Sequence, residues 1–106
     1  MELDPQGKEI VTIYHWTTFA GRVRVYEGKA TVEDNYGETV YVITERHEYL
    51  GSAGNRIYRD ENTNTDKKVI YRAAINRTKK NINNSLENIA KSMASMKTFE
   101  RILHAT

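Results

Sequence analysis

Between residues 9 and 59 the chain alternates short stretches rich in Val, Ile, Thr and Tyr with Gly and Asn punctuation, the pattern of strands joined by turns. Residues 9–16 place apolar side chains on both faces of a strand, Ile10, Tyr14 and Trp16 against Val11 and Ile13. This predicts a strand covered on both sides. Residues 21–26 alternate cleanly, with Val23 and Val25 opposite Arg22, Arg24 and Tyr26, which predicts one wet face. Glu27-Gly28-Lys29 reads as a turn into a strand over 30–33. Asn35-Tyr36-Gly37 reads as a turn into a strand over 39–44, where Val40, Val42 and Thr44 face away from Tyr41 and Ile43. Connections this short imply antiparallel neighbours. A further hairpin is predicted from 46–50 and 56–59 around Gly51-Ser52-Ala53-Gly54-Asn55, and the polar run from Asp60 to Thr65 reads as a linker or exposed loop.

The period then changes. Thr65 or Asp66 can cap a helix, and from residue 66 to 104 neither Gly nor Pro interrupts it. Apolar residues fall at Ile75, Ile82, Leu86, Ile89, Met93, Met96 and Leu103, a heptad register interrupted by Lys79 and Glu100. The phase runs unbroken through residues 81–85, which favours one long helix. Against it, that patch holds three Asn, and Asn84 with Glu87 could form a capping box that starts a second helix. The fold class expected is α+β: an N-terminal antiparallel meander of four to six strands, then a long C-terminal helix or helix pair, in one domain over residues 1–106. A helix of this length would run about 58 Å against a sheet of roughly 20 by 20 Å. The stripe is too long for the sheet, so Ile82, Leu86, Ile89, Met93 and Met96 are expected to bury against a second copy, most simply in a homodimer, against a larger protein, or by folding back at the Asn patch. The flanking heptad positions hold Asn83, Ser85, Ala90, Ser92 and Phe99, with Lys97 the one charge, so the interhelical salt bridges of a parallel zipper are missing.

Composition narrows the function classes. The strong apolar residues (Ile, Val, Leu, Phe) are 22 of 106, enough for one thin core. No apolar run spans a bilayer, and the opening Met1-Glu2-Leu3-Asp4-Pro5 lacks the basic start and apolar stretch of a signal peptide; a cytoplasmic protein without membrane contact is expected. The absence of Cys excludes disulfides, thiolate metal sites and cysteine nucleophiles. Net charge is +2, but it is divided: residues 1–65 carry seven Lys and Arg against eleven acids, a balance of −4, whereas residues 66–106 carry nine against three, a balance of +6. Such asymmetry speaks to partners, or to attraction between the two parts of the chain.

Lys67, Lys68, Arg72, Arg77, Lys79 and Lys80 place six cations in fourteen residues with no acid among them. A helix carrying them can displace the counterions of a phosphate backbone, and Asn76 and Asn81 are placed to hydrogen-bond base edges or sugars. Arg22 and Arg24 form a weaker second patch, which with Tyr26 gives a strand face of the kind that single-strand-binding sheets use. A basic helix running into a heptad stripe superficially resembles the basic-zipper family. That family's Asn, paired Ala and Arg order is not matched where Ala73-Ala74 precede Asn76-Arg77, and a β region stands in front, so no residue role follows from it. Of the three His, only His47 has a neighbouring candidate, Glu45 on the same strand face, and a surface charge cluster is the expected reading over an acid/base pair or metal site. Neither a nucleophile setting nor a phosphate loop is recognisable. The sequence therefore points to a non-catalytic nucleic-acid-binding protein without metal, cofactor or small-molecule substrate. The alternative is a small regulator that occupies a surface of a larger protein through the helix stripe or a sheet edge.

Overall fold

The computed structural model describes residues 1–105 and is α+β: a five-stranded antiparallel sheet followed by a single helix. The strands are β1 (Val11–Phe19), β2 (Arg22–Asn35), β3 (Glu38–Ile43), β4 (Arg56–Tyr58) and β5 (Thr63–Asn64), and the helix α1 is Lys67–Ala105. The sheet order is β4-β3-β2-β1-β5, so the first four strands are a meander and β5 returns to the far side of β1. By contact the chain divides into two compact units, residues 1–75, which include the first turns of α1, and the chain from residue 76 onward.

Both tight hairpins turn on backbone that twists with the strands. Ala20 and Gly21 (φ 52° and 76°) join β1 to β2, and Tyr36 and Gly37 (φ 53° and 86°) join β2 to β3, each with the positive φ at both central residues that type I′ turns require. The Gly37 amide also donates to Asp34 Oδ1 at 3.0 Å. The expected turn at Asn35-Tyr36-Gly37 is present; the one at Glu27-Gly28-Lys29 is not. Instead β2 runs unbroken for 14 residues, pairing Arg22 to Ala30 with β1 and Ala30 to Asn35 with β3. Gly28 lies opposite Ile13, and a Cβ there would come within 2.5 Å of Leu50 Cδ1. It marks a close approach rather than a turn.

The register sorts the side chains. Val11, Ile13, Ala30, Tyr41, Ile43 and Ile57 share one face of the sheet and form its core with Leu50, which reaches over Gly28 from the loop between β3 and β4. That loop was expected to contain a strand over 46–50. It is instead a compact turn closed by reciprocal backbone bonds between His47 and Gly51. Within it, His47 Nδ1 accepts the amides of Tyr49 and Leu50 at 3.0 and 3.1 Å, and Asn55 Nδ2 donates to the Leu50 carbonyl at 2.6 Å. These bonds take up the backbone groups that a ladder would otherwise satisfy.

Residues 60–65, expected as a linker or exposed loop, carry β5. Thr63 is buried, pairs with His15 across the strands and bonds its Nδ1 through Oγ1 at 2.7 Å. The Trp16 indole donates to the Glu61 carbonyl at 2.9 Å. An apolar anchor was missing from the sequence because a hydroxyl supplies the burial here. Asn64 Oδ1 then accepts the Asp66 amide at 2.9 Å, and Asp66 Oδ1 accepts the Lys68 amide at 3.0 Å, which makes Asp66 the helix cap. From there α1 continues through Asn81-Ile82-Asn83-Asn84-Ser85 without a break, so the capping box at Asn84 does not form.

Candidate nucleic-acid interface

The first turns of α1 bury Ile70 and Ala74, four residues apart on one helix face. Lys67 Nζ lies 5.9 Å from the ring centre of Tyr14 and 5.7 Å from that of Tyr71, so the helix begins beside the sheet face that carries Tyr14. Ile75, the first residue of the heptad stripe, is 52 % exposed. At about 100° per residue, Ile75 points about 140° from Ile70 and about 100° from Ala74. Ile75 thus stands off the helix face that carries the buried Ile70 and Ala74. Ile82, Leu86, Ile89, Met93 and Met96 are each at least half exposed, as are Phe99, Ile102 and Leu103.

Lys67, Lys68, Arg72, Arg77, Lys79 and Lys80 are all exposed. In the heptad frame Lys68, Arg72 and Lys79 extend the line of the stripe toward the helix start, whereas Arg77 and Lys80 lie off it. The segment is therefore cationic around most of its circumference. Asn76 is exposed and Asn81 half-buried. The two ion pairs among the described residues both converge on Glu33: Arg56 Nη1 reaches its Oε2 at 2.6 Å and Lys8 Nζ its Oε1 at 3.5 Å. The Arg56 hydrogen bond, with its charge and that of Lys8, holds the Glu33 carboxyl below its ordinary range against a smaller opposing effect of desolvation. This acid is matched by cations of the sheet region.

Arg22 and Arg24 are exposed on β2, and the Arg24 guanidinium lies 5.7 Å from the Phe19 ring centre. They share a face with Tyr26, as the alternation indicated, but Tyr26 is not an open stacking platform. Its ring stacks on Tyr49 (centroids 4.3 Å apart, planes at 13°) and meets His47 edge-on at 6.0 Å, while its hydroxyl is buried with no hydrogen-bond partner. The exposed aromatic of that cluster is Tyr49, which the sequence did not single out because it sits in the irregular loop.

His47 spends Nδ1 on two loop amides. His15 is held below its ordinary value because partial burial penalises the imidazolium more than the Asp60 carboxylate favours it. No group of three or more His, Asp or Glu suited to a metal occurs among the described residues. A cleft of about 360 Å³ borders Leu3, Ile10, Lys29, Thr44 and Glu45, and none of the basic-segment residues lines it.

Compared with known proteins, the chain matches no family model, no curated protein sequence and no solved structure. No helix among the described residues is long and apolar enough to cross a membrane.

Proposed function

We propose that this chain is a non-catalytic nucleic-acid-binding protein, a small accessory or regulatory factor that presents the start of α1 to the phosphate backbone. The observation that carries the reading is the exposure of Lys67, Lys68, Arg72, Arg77, Lys79 and Lys80 on one continuous helix, with no acid among them. Fourteen helical residues span about 20 Å, and an α-helix fits the major groove of a duplex. Over that length each strand of a duplex carries about six phosphates, against the six cations of the helix. Arg22 and Arg24 provide a second, smaller cationic patch on the β2 face.

Binding of this kind is dominated by counterion release, so log affinity falls linearly with log salt. The test is a titration of duplex and single-stranded DNA and RNA at two or more salt concentrations. Arg77 and Lys80 are the informative positions because both are exposed and off the apolar stripe. The Arg77→Ala, Lys80→Ala double variant should shallow the duplex-DNA salt slope by roughly two. Absence of binding to all four probes near 50 mM salt, where electrostatic attraction is exaggerated, overturns the proposal and leaves the protein-binding regulator as the working reading.

A further inference from the structure

The exposed stripe of α1 has a charge pattern that selects what covers it. In the heptad frame one set of core positions holds Arg72, Lys79, Leu86, Met93 and Glu100, and the other holds Ile75, Ile82, Ile89, Met96 and Leu103. Both sets are exposed along the helix. If a second copy packed parallel and in register, Arg72 would face Arg72, Lys79 would face Lys79 and Glu100 would face Glu100. The whole basic segment would also lie beside its own copy. Each of these juxtapositions opposes association.

Reversing the second helix removes every one of them. When Leu86 of one copy is set opposite Ile89 of the other, the alternation of the two core sets is preserved over the full stripe. Ile82 then meets Met93, Lys79 meets Met96, Ile75 meets Glu100 and Arg72 meets Leu103. The central layers are wholly apolar. Toward each end, Glu100 of one copy falls between Arg72 and Lys79 of the other, one core step from each. The long stems of Arg72 and Lys79 cover the flanking apolar residues while their heads reach outward to that carboxylate. Small neighbours along the seam, Ser85, Ala90 and Ser92, allow close approach, and none of them is charged.

We propose that α1 pairs with α1 of a second copy in an antiparallel dimer centred between Leu86 and Ile89, with Glu100 of each copy seated between Arg72 and Lys79 of the other. This goes beyond the nucleic-acid reading and is read out without nucleic acid, so the two can fail separately.

Sedimentation should show a concentration-dependent dimer. Ile89→Asp, in the central layers, should shift it to monomer while the fluorescence of Trp16, the only Trp of the chain, stays unchanged and reports an intact sheet. Because the chain contains no Cys, Ala105→Cys accepts one spin label per copy. The antiparallel pair separates the two labels by about 50 Å along the axis, whereas a parallel pair holds them within about 20 Å. Glu100→Lys should weaken the dimer about tenfold and Lys79→Glu in the same chain should restore most of the loss. In a parallel pair the first change would replace one like-charge contact with another and have little effect. A monomer at high micromolar concentration, a short label separation or an indifferent Glu100→Lys variant overturns the proposal.

Discussion

Gly28 and His15 show how single positions are fixed by neighbours distant in sequence. Gly28 sits in mid-strand with the buried Leu50 side chain occupying the space of a Cβ. Gly28→Ala should therefore cost about 1–3 kcal/mol through overpacking, even though Ala suits a strand better than Gly does. Urea unfolding measures this directly, and Leu50→Val in the same chain should recover part of the loss. His15 gives the fold a pH dependence of known sign. Above its ordinary value of 6.5 the ring is neutral in both folded and unfolded chains. As pH falls below that value the unfolded chain takes up the proton first, because the folded-state value is lowered. Stability is then lost until the pH passes below the folded value, where the loss levels off. Denaturation midpoints of the parent and His15→Gln measured from pH 7.5 down to 5 should converge as pH falls. A constant difference between them would remove His15 as the cause.

At the scale of elements, strict periodicity was legible and irregular burial was not. Alternation located β3 and the β2 residues on either side of Gly28, and Asn35-Tyr36-Gly37 located a turn, because local sterics decide those features. The unbroken phase from Ile75 to Leu103 favoured one helix over two across the Asn-rich patch, and α1 is one helix. Gly28 misled because a packing glycine and a turn glycine look alike until the partner is known, and Leu50 lies 22 residues further on. The segment with β5 misled because its burial rests on the Thr63 hydroxyl, and His15, which satisfies that hydroxyl, is 48 residues away. The candidate site divides the same way. Exposure of the six helix cations follows from their density in a polar stretch, but the engagement of Tyr26 by Tyr49 and His47 is a loop contact with no periodic signature. The burial of Ile70 and Ala74 was also hidden, since two positions make no stripe.

For the whole molecule, the pairing of β5 with β1 sets an order of assembly. The hairpins β1–β2 and β2–β3 close over two-residue turns, whereas His15 and Thr63 must find each other across a separation of 48 residues. Closing the longer loop carries the larger entropic cost, and contacts of high separation form late. The Trp16 amide, bonded to the Asn62 carbonyl at 2.9 Å, should accordingly gain exchange protection after the amides shared by β2 and β3. Pulse-labelled hydrogen exchange during refolding would detect this, and simultaneous protection would contradict it. Since Asn64 and Asp66 tie β5 directly to the helix cap, the late step also fixes where α1 begins. A newly made chain can thus form its meander and its local helical turns separately, and the basic segment is anchored to the sheet only when the last and shortest strand zips into place.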